Sequence, residues 1–344
     1  MSYNGPDKTT ITMSSSSGST RTALEAAIAN NTVNNPQEGK VFLITGAYSG
    51  LGAETTKALL KVKGHVILAG RSVDKMKSFV NELTTDTKEY DVDALVDAGG
   101  PICDLSDLES VQEFANYVKT KYTKLDVLIL NAGIMNTPPG VTKQGYEQQV
   151  GTNCLGHFLL AHSLKNITCR QVWVSSKAYE TNGGKSFDFD WFHNFSLEKI
   201  EAKEQEYDAM FAYQQSKLGT IFLTKEFAKR NAEEEEQQPT GLNSRKLETC
   251  ALHPGMIDTN LGRHSRNGWM QGAVSILGAV GFLSKKTAEQ GAATTVTCAT
   301  TDSLHNGGYY ENCELVPRLA GNATNESDAI RFFDLCLELT KDFQ

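Results

Sequence analysis

Tyr213 and Lys217 stand four residues apart in Ala-Tyr-Gln-Gln-Ser-Lys, inside a stretch whose pattern reads as helix. Four apart on a helix is one face. An ammonium beside a phenol favours the phenolate, so a group that ordinarily ionises near pH ~10 can trade protons closer to neutrality. The same spacing also fits a surface tyrosine packed on a lysine stem. The pair therefore takes its meaning from the elements around it.

The first of those elements is a short apolar run, Val41-Phe42-Leu43-Ile44, which suits a strand buried on both faces. It enters Thr45-Gly46-Ala47-Tyr48-Ser49-Gly50-Leu51-Gly52, and from about residue 50 to 63 the pattern turns helical, with Leu51, Thr55, Leu59 and Leu60 on one side. Strand, glycine-rich turn and helix together form a pyrophosphate cradle. The glycines let backbone N–H groups approach the phosphates, which then sit at the positive end of the helix. A second strand, His65-Val66-Ile67-Leu68-Ala69, runs through Gly70 to Arg71. In a dinucleotide fold this strand end meets the adenosine ribose. An acid there binds the 2′-hydroxyl of NAD, whereas an arginine suits a 2′-phosphate. With no acid at or beside position 71, NADP(H) is favoured over NAD(H); Ser49 supplies no second basic group.

The glycine order Thr-Gly-x-x-x-Gly-x-Gly, together with Tyr213-x-x-x-Lys217, resembles the short-chain dehydrogenase/reductase family. The resemblance extends from about Gly39 to the C-terminus and recurs at independent landmarks. It implies cofactor contacts at Gly46, Ser49, Gly50, Leu51, Gly52 and Arg71. Asp104-Leu105 matches the Asp-Leu pair beside the adenine, and Asn131-Ala132-Gly133 matches the turn at the cofactor's edge. Pro254, Gly255 and Thr259 match the loop that closes over the nicotinamide. Asn153, Ser176, Tyr213 and Lys217 match the catalytic set. The family mechanism implies proton transfer by Tyr213, with Ser176 on the same substrate oxygen. Lys217 would lower the Tyr213 pKa and hold the nicotinamide ribose, and Asn153 would position a water linked to Lys217. Asn153 also carries a signal of its own. Asparagine is a poor helix former, and one flanked by glycines in mid-helix marks a local distortion.

Thirty-seven residues separate Ser176 from Tyr213, more than in many family members, which implies an insertion at about 178–212. A similar insertion, with Asn-x-x-Gly-His-Phe-Leu-Leu and Gly308-Tyr309-Tyr310, resembles the retinol-dehydrogenase-like branch. WW-domain oxidoreductases and light-dependent protochlorophyllide reductases share these features. The implied function is an NADP(H)-dependent oxidoreductase on the carbonyl or alcohol of a small lipophilic molecule. The alternatives are a double-bond reductase and a cofactor-sensing scaffold without turnover. A nucleotide-sugar enzyme fits less well, because the glycine spacing Thr-Gly-x-x-Gly-x-x-Gly is absent.

The remaining composition agrees. A formal charge of −8 with no basic stripe argues against nucleic acid. The seven cysteines are odd in number and scattered, without C-x-x-C, and the histidines lack H-E-x-x-H, so no disulfide framework and no metal site is expected. Residues 1–38 are rich in Ser, Thr and Asn, with a short Ala-rich piece at 23–29, and read mostly as a mobile tail. Cytoplasmic location is expected; an organelle-targeting role for the tail, Ser/Thr-rich with one arginine, is the alternative. The glutamates at 233–236, followed by Pro239, read as a solvated loop. An eleven-residue apolar run at 273–283 is too short to span a bilayer. It reads as part of a substrate lid at about 256–286, with peripheral membrane contact as the second reading. A homo-oligomer is left open.

The candidate strands are 41–45, 65–69, 93–97, 125–130, 171–175, 247–252 and 308–310, alternating in the earlier part with helices. This predicts one α/β domain over 39–344: a Rossmann-type doubly wound sheet of about seven parallel strands with helices on both faces.

Overall fold

The computed structural model describes residues 21–32, 35–86, 90–95, 99–237, 246–257 and 286–344. The strands are β1 Val41–Thr45, β2 His65–Ala69, β3 Val92–Asp93, β4 Val127–Leu130, β5 Arg170–Val174, β6 Glu248–His253, β7 Gly308–Glu311 and β8 Glu314–Leu315. They form one eight-stranded sheet in the order β3-β2-β1-β4-β5-β6-β7-β8. β1 to β7 are parallel, and β8 returns antiparallel along β7. The seven expected parallel strands are present, with ends shifted by a residue or two; the third is the short pair Val92–Asp93 rather than 93–97.

The strands are apolar throughout because they are covered on both sides. Along β1, Leu43 enters one core while Phe42 and Ile44 enter the other. Helices α1 Ala23–Asn30, α2 Gly50–Lys61, α3 Val73–Asp86 and α10 Ala288–Thr300 belong to the second side. The first is covered by α4 Leu108–Lys121, α6 His157–Leu164, α9 Ala209–Gln237 and α11 Glu326–Thr340. Between them in the chain lie α5 Gln148–Val150, α7 Phe189–Asn194 and α8 Leu197–Glu201.

Two expectations change. Residues 21–32 and 35–38 pack rather than trail: Ala23, Ala26 and Ala27 of α1 are buried, and Thr22 with Glu25 forms a capping box. The following turn is tied to α10, where Asn35 Nδ2 donates to Thr300 O at 2.6 Å. Alanines permit this close helix contact, and the polar Asn and Gln residues that made the segment look like a tail are its anchors. The glutamates at 233–236 are helical, since α9 continues to Gln237. They lie on its outer surface, and Lys165 pairs with Glu234 at 3.0 Å. Most of the lid, including its apolar run and Thr259, lies outside the described residues. No helix among the described residues is long and apolar enough to cross a membrane.

Candidate active site

β1 is the centre of the topology. The chain winds from β1 outward through β2 to β3, then returns to β4 on the other flank of β1. The winding direction reverses between β1 and β4, and the carboxyl ends at such a switch point are where a sheet of this kind binds its ligand. Gly46 lines one side at φ +66°, a left-handed conformation that favours glycine, and a Cβ there would lie a tight 3.2 Å from Ala132 Cβ. Gly52 is tighter still; its Cβ would lie 2.2 Å from the Gly46 carbonyl oxygen. Gly50, Leu51 and Gly52 form the first turn of α2, and Ser49 is its N-cap residue with no side-chain cap bond.

Thr45 fastens the opposite side. Its Oγ1 accepts from Asn131 N at 2.9 Å and Ala132 N at 3.0 Å, while Asn131 Nδ2 donates to Thr45 O at 2.8 Å. The partner for the Thr45 hydroxyl proton is His157 Nε2, 2.9 Å away, because His157 Nδ1 lies 3.1 Å from the Asn153 carbonyl, which can only accept. His157 is thus neutral and structural, and burial pushes its pKa down to about 3.

Asn153 sits in one π-helical turn, Gly151–Gly156, the kind of local distortion its setting suggests. Its side chain clamps Ile134: Oδ1 accepts from Ile134 N and Nδ2 donates to Ile134 O, both at 3.0 Å. Gly133 lies between the clamp and α9, its Cβ position 3.3 Å from Asn153 Oδ1 and 3.6 Å from Lys217 Nζ.

Tyr213 and Lys217 share a face of α9 and are 8% and 5% exposed. Lys217 Nζ donates to Val174 O at 2.8 Å and lies 5.7 Å from the Tyr213 ring centroid. Ser175 Oγ donates to Lys217 O at 2.8 Å, joining β5 to α9. Ser176 follows and caps a 3-10 turn, accepting from Ala178 N at 3.2 Å. Asn153, Ser176, Tyr213 and Lys217 therefore meet at the carboxyl ends of β4 and β5.

The chain resembles known proteins along most of its length. Residues 40–178 match the short chain dehydrogenase family model. Retinol dehydrogenase 11 of Homo sapiens is 35% identical over 327 residues, 93% of this chain and 91% of that one. Retinol dehydrogenase 12 of Homo sapiens is 36% identical over 298 residues, 84% of this chain and 83% of that one. The chain belongs to the short-chain dehydrogenase/reductase family. In the solved structures, an uncharacterized protein from Mycobacterium Paratuberculosis superposes with a TM-score of 0.64 at 29% identity, covering 90% of this chain and 96% of that one.

Members of this dehydrogenase/reductase family use a nicotinamide cofactor, and the residues present fit one. The turn at Gly46 and Gly52 is packed too closely for a side chain at Gly52, and Asn131 Oδ1 is buried beside it without a hydrogen-bond partner. Arg71 is exposed just past β2, and no ion pair holds it among the described residues. Cys103 N donates to Gly70 O at 3.0 Å, which brings Asp104 and Leu105 to the same strand end. Asp104 Oδ1 is engaged by Ser106, N at 3.0 Å and Oγ at 2.7 Å. Pro254 and Gly255 lead out of β6, Gly255 at φ +97°, with Lys286 lying across it.

One expectation of this dehydrogenase/reductase chemistry is reversed by burial. Burial pushes the Tyr213 phenol up to about 12, with the Ser176 side chain acting the other way. Burial likewise pushes Lys217 down to about 8. The Lys217 ammonium donates to the Val174 carbonyl, and the loss of water around the phenol sets the direction of the Tyr213 shift.

Sequence reasoning left four site residues unassigned. Thr45 stood in the glycine motif, but its hydroxyl gave no hint that it holds the Asn131 turn. Tyr48 fills the space beside Gly70, its ring carbon 2.4 Å from the Cβ position there, and its hydroxyl accepts from Ser72 N at 3.3 Å. His253 is buried with Nδ1 unpartnered. Gln149 lies four before Asn153, a spacing that could have singled it out.

Proposed function

We propose that this chain is an NADP(H)-dependent oxidoreductase that moves a hydride between the nicotinamide and the carbonyl or alcohol carbon of a small lipophilic, retinoid-like molecule. The observation that carries this reading is the meeting of Tyr213, Ser176, Lys217 and Asn153 beside the glycine cradle. The names of the retinol dehydrogenase relatives support the substrate class. The bound cofactor supplies hydride chemistry; the chain's own residues orient the substrate and handle the proton.

In reduction, Tyr213 donates its phenolic proton to the substrate oxygen, and burial keeps that proton in place until it is needed. Ser176 Oγ steadies charge on the same oxygen. Lys217, oriented by Val174 O, lies next to Gly133 and would hold the cofactor's nicotinamide ribose. Asn153 holds the Gly133–Ile134 wall in place. Arg71 would pair with a 2′-phosphate.

Calorimetry with NADPH and NADH on the wild type and Arg71→Ala tests the cofactor. NADPH should bind more tightly, and the preference should collapse in the variant. Retinal and aliphatic aldehydes then serve as substrates, with Tyr213→Phe expected to lower kcat by about 10²–10⁴-fold while leaving NADPH affinity near wild type. Binding of neither cofactor would overturn the reading.

A further inference from the structure

We propose that Gln149, locked by Glu147 and Tyr207, is a positioning residue of the substrate site that pairs with Asn153 to zip the loop after β4 onto α9. The inference rests on the oxidoreductase reading above. It deepens that reading by naming what spaces the two walls in front of Tyr213.

Gln149 and Asn153 flank the change from α5 to the π turn. While Asn153 clamps the Ile134 backbone, Gln149 Oε1 accepts from Asn136 N at 2.9 Å. The loop bends here, with Asn136 at φ +52°. The two side-chain amides thus hold the loop on either side of Met135, one at Ile134 and one at Asn136. Each amide also reaches α9 or its approach. Asn153 Nδ2 donates to Ser216 Oγ at 3.0 Å, and Gln149 Nε2 donates to Ala209 O at 2.7 Å and to Tyr207 Oη at 3.1 Å.

A buried carboxylate closes the network. Tyr207 Oη donates to Glu147 Oε1 at 2.9 Å. Glu147 also accepts from Gln149 N at 2.9 Å and Val150 N at 2.7 Å. Glu147 and Gln149 are 1% and 0% exposed. Every proton in this set has one acceptor, so losing one donor leaves a buried oxygen short. Tyr207 belongs to the segment between Ser176 and Tyr213, so the lock fastens the end of that segment to the loop after β4.

The walls it spaces are apolar. Ile134 and Met135 on the loop and Met210 on α9 are each half-buried. Met210 lies three and seven residues before Tyr213 and Lys217, on their face of the helix. A lipophilic carbonyl compound fits between such walls, and its admission depends on their spacing.

Tyr207→Phe and Gln149→Met each remove hydrogen bonds while keeping side-chain volume. Steady-state kinetics with retinal should show KM raised about fivefold or more, the equivalent of about 1 kcal/mol. The NADPH dissociation constant should stay near wild type, and kcat should change less than KM. Glu147→Gln keeps an acceptor for Tyr207 and should fall between wild type and Tyr207→Phe. Hydrogen exchange at the Asn136 amide should accelerate in Tyr207→Phe. A parallel fall in NADPH affinity, kcat and melting temperature with KM unchanged would reduce these residues to general scaffolding and overturn the proposal. If the wild type turns over no carbonyl compound, the enzymatic reading fails by itself. The exchange experiment then still judges the zipper, and unchanged Asn136 protection would refute it.

Discussion

Tyr213 and Lys217 show how burial redirects a motif's chemistry. Side by side in water, the ammonium would favour the phenolate. In the folded chain the phenol keeps its proton to about 12 and the ammonium loses one near 8. A neutral phenol is the correct form for a proton donor, which suits the proposed carbonyl reduction. Lys217 is charged below about 8, and in the proposed mechanism that charge would favour the departing proton of Tyr213. The rate of reduction should therefore fall as pH rises through about 8. A kcat profile from pH ~6 to ~10 reads this directly. Lys217→Met should be slow throughout and lack that limb. A wild-type profile flat across the interval would show that the Lys217 charge does not support the step.

At the scale of elements, helix ends and turns do the positioning. The close approach of Gly52 to Gly46 is the tightest contact in the cradle, and any side chain at 52 must push the turn aside. Gly52→Ala should cost about 1–3 kcal/mol, through overpacking, in cofactor binding and in stability. Titration calorimetry with NADPH beside thermal melting separates the two. The π turn at Gly151–Gly156 is a second such device. It was legible as a glycine-flanked Asn153 because that residue is locally unsuited to a helix. What it grips was not legible, since Ile134 reaches it only through the β4 connection. Residues 21–32 and 35–38 misread for a similar reason. Ala, Asn and Gln resemble a solvated tail until α10 and Thr300 are placed against them.

At the scale of the whole molecule, two buried histidines link the fold to pH. Burial lowers His157 to about 3 and His253 to about 4, against an ordinary value near 6.5. Between these values the unfolded chain takes up protons that the folded chain refuses, so folding stability is lost as pH falls below about 6.5. Each histidine contributes up to about 1.4 kcal/mol per pH unit within its own window. Urea unfolding at pH ~7 and ~5 should show the decline, and His157→Gln should make it shallower. An equal slope in that variant would remove His157 from the account.

The sequence alone determined the local chemistry and the architecture. Runs of β-branched residues alternating with amphipathic segments demand a parallel sheet covered on both faces. The glycines at 46, 50 and 52 demand a ligand-hugging turn, and Tyr213 with Lys217 must share a helix face. These follow from short-range sterics and periodicity, which act within a few residues. Tertiary structure decided the rest: which carbonyl orients Lys217, how far burial moves the Tyr213 proton, that α1 packs on α10, and that Gln149, Glu147 and Tyr207 form one network. Each depends on groups far apart in the chain, brought together only when the sheet closes and water is excluded. Desolvation and long-range hydrogen bonding leave no periodic mark on the sequence.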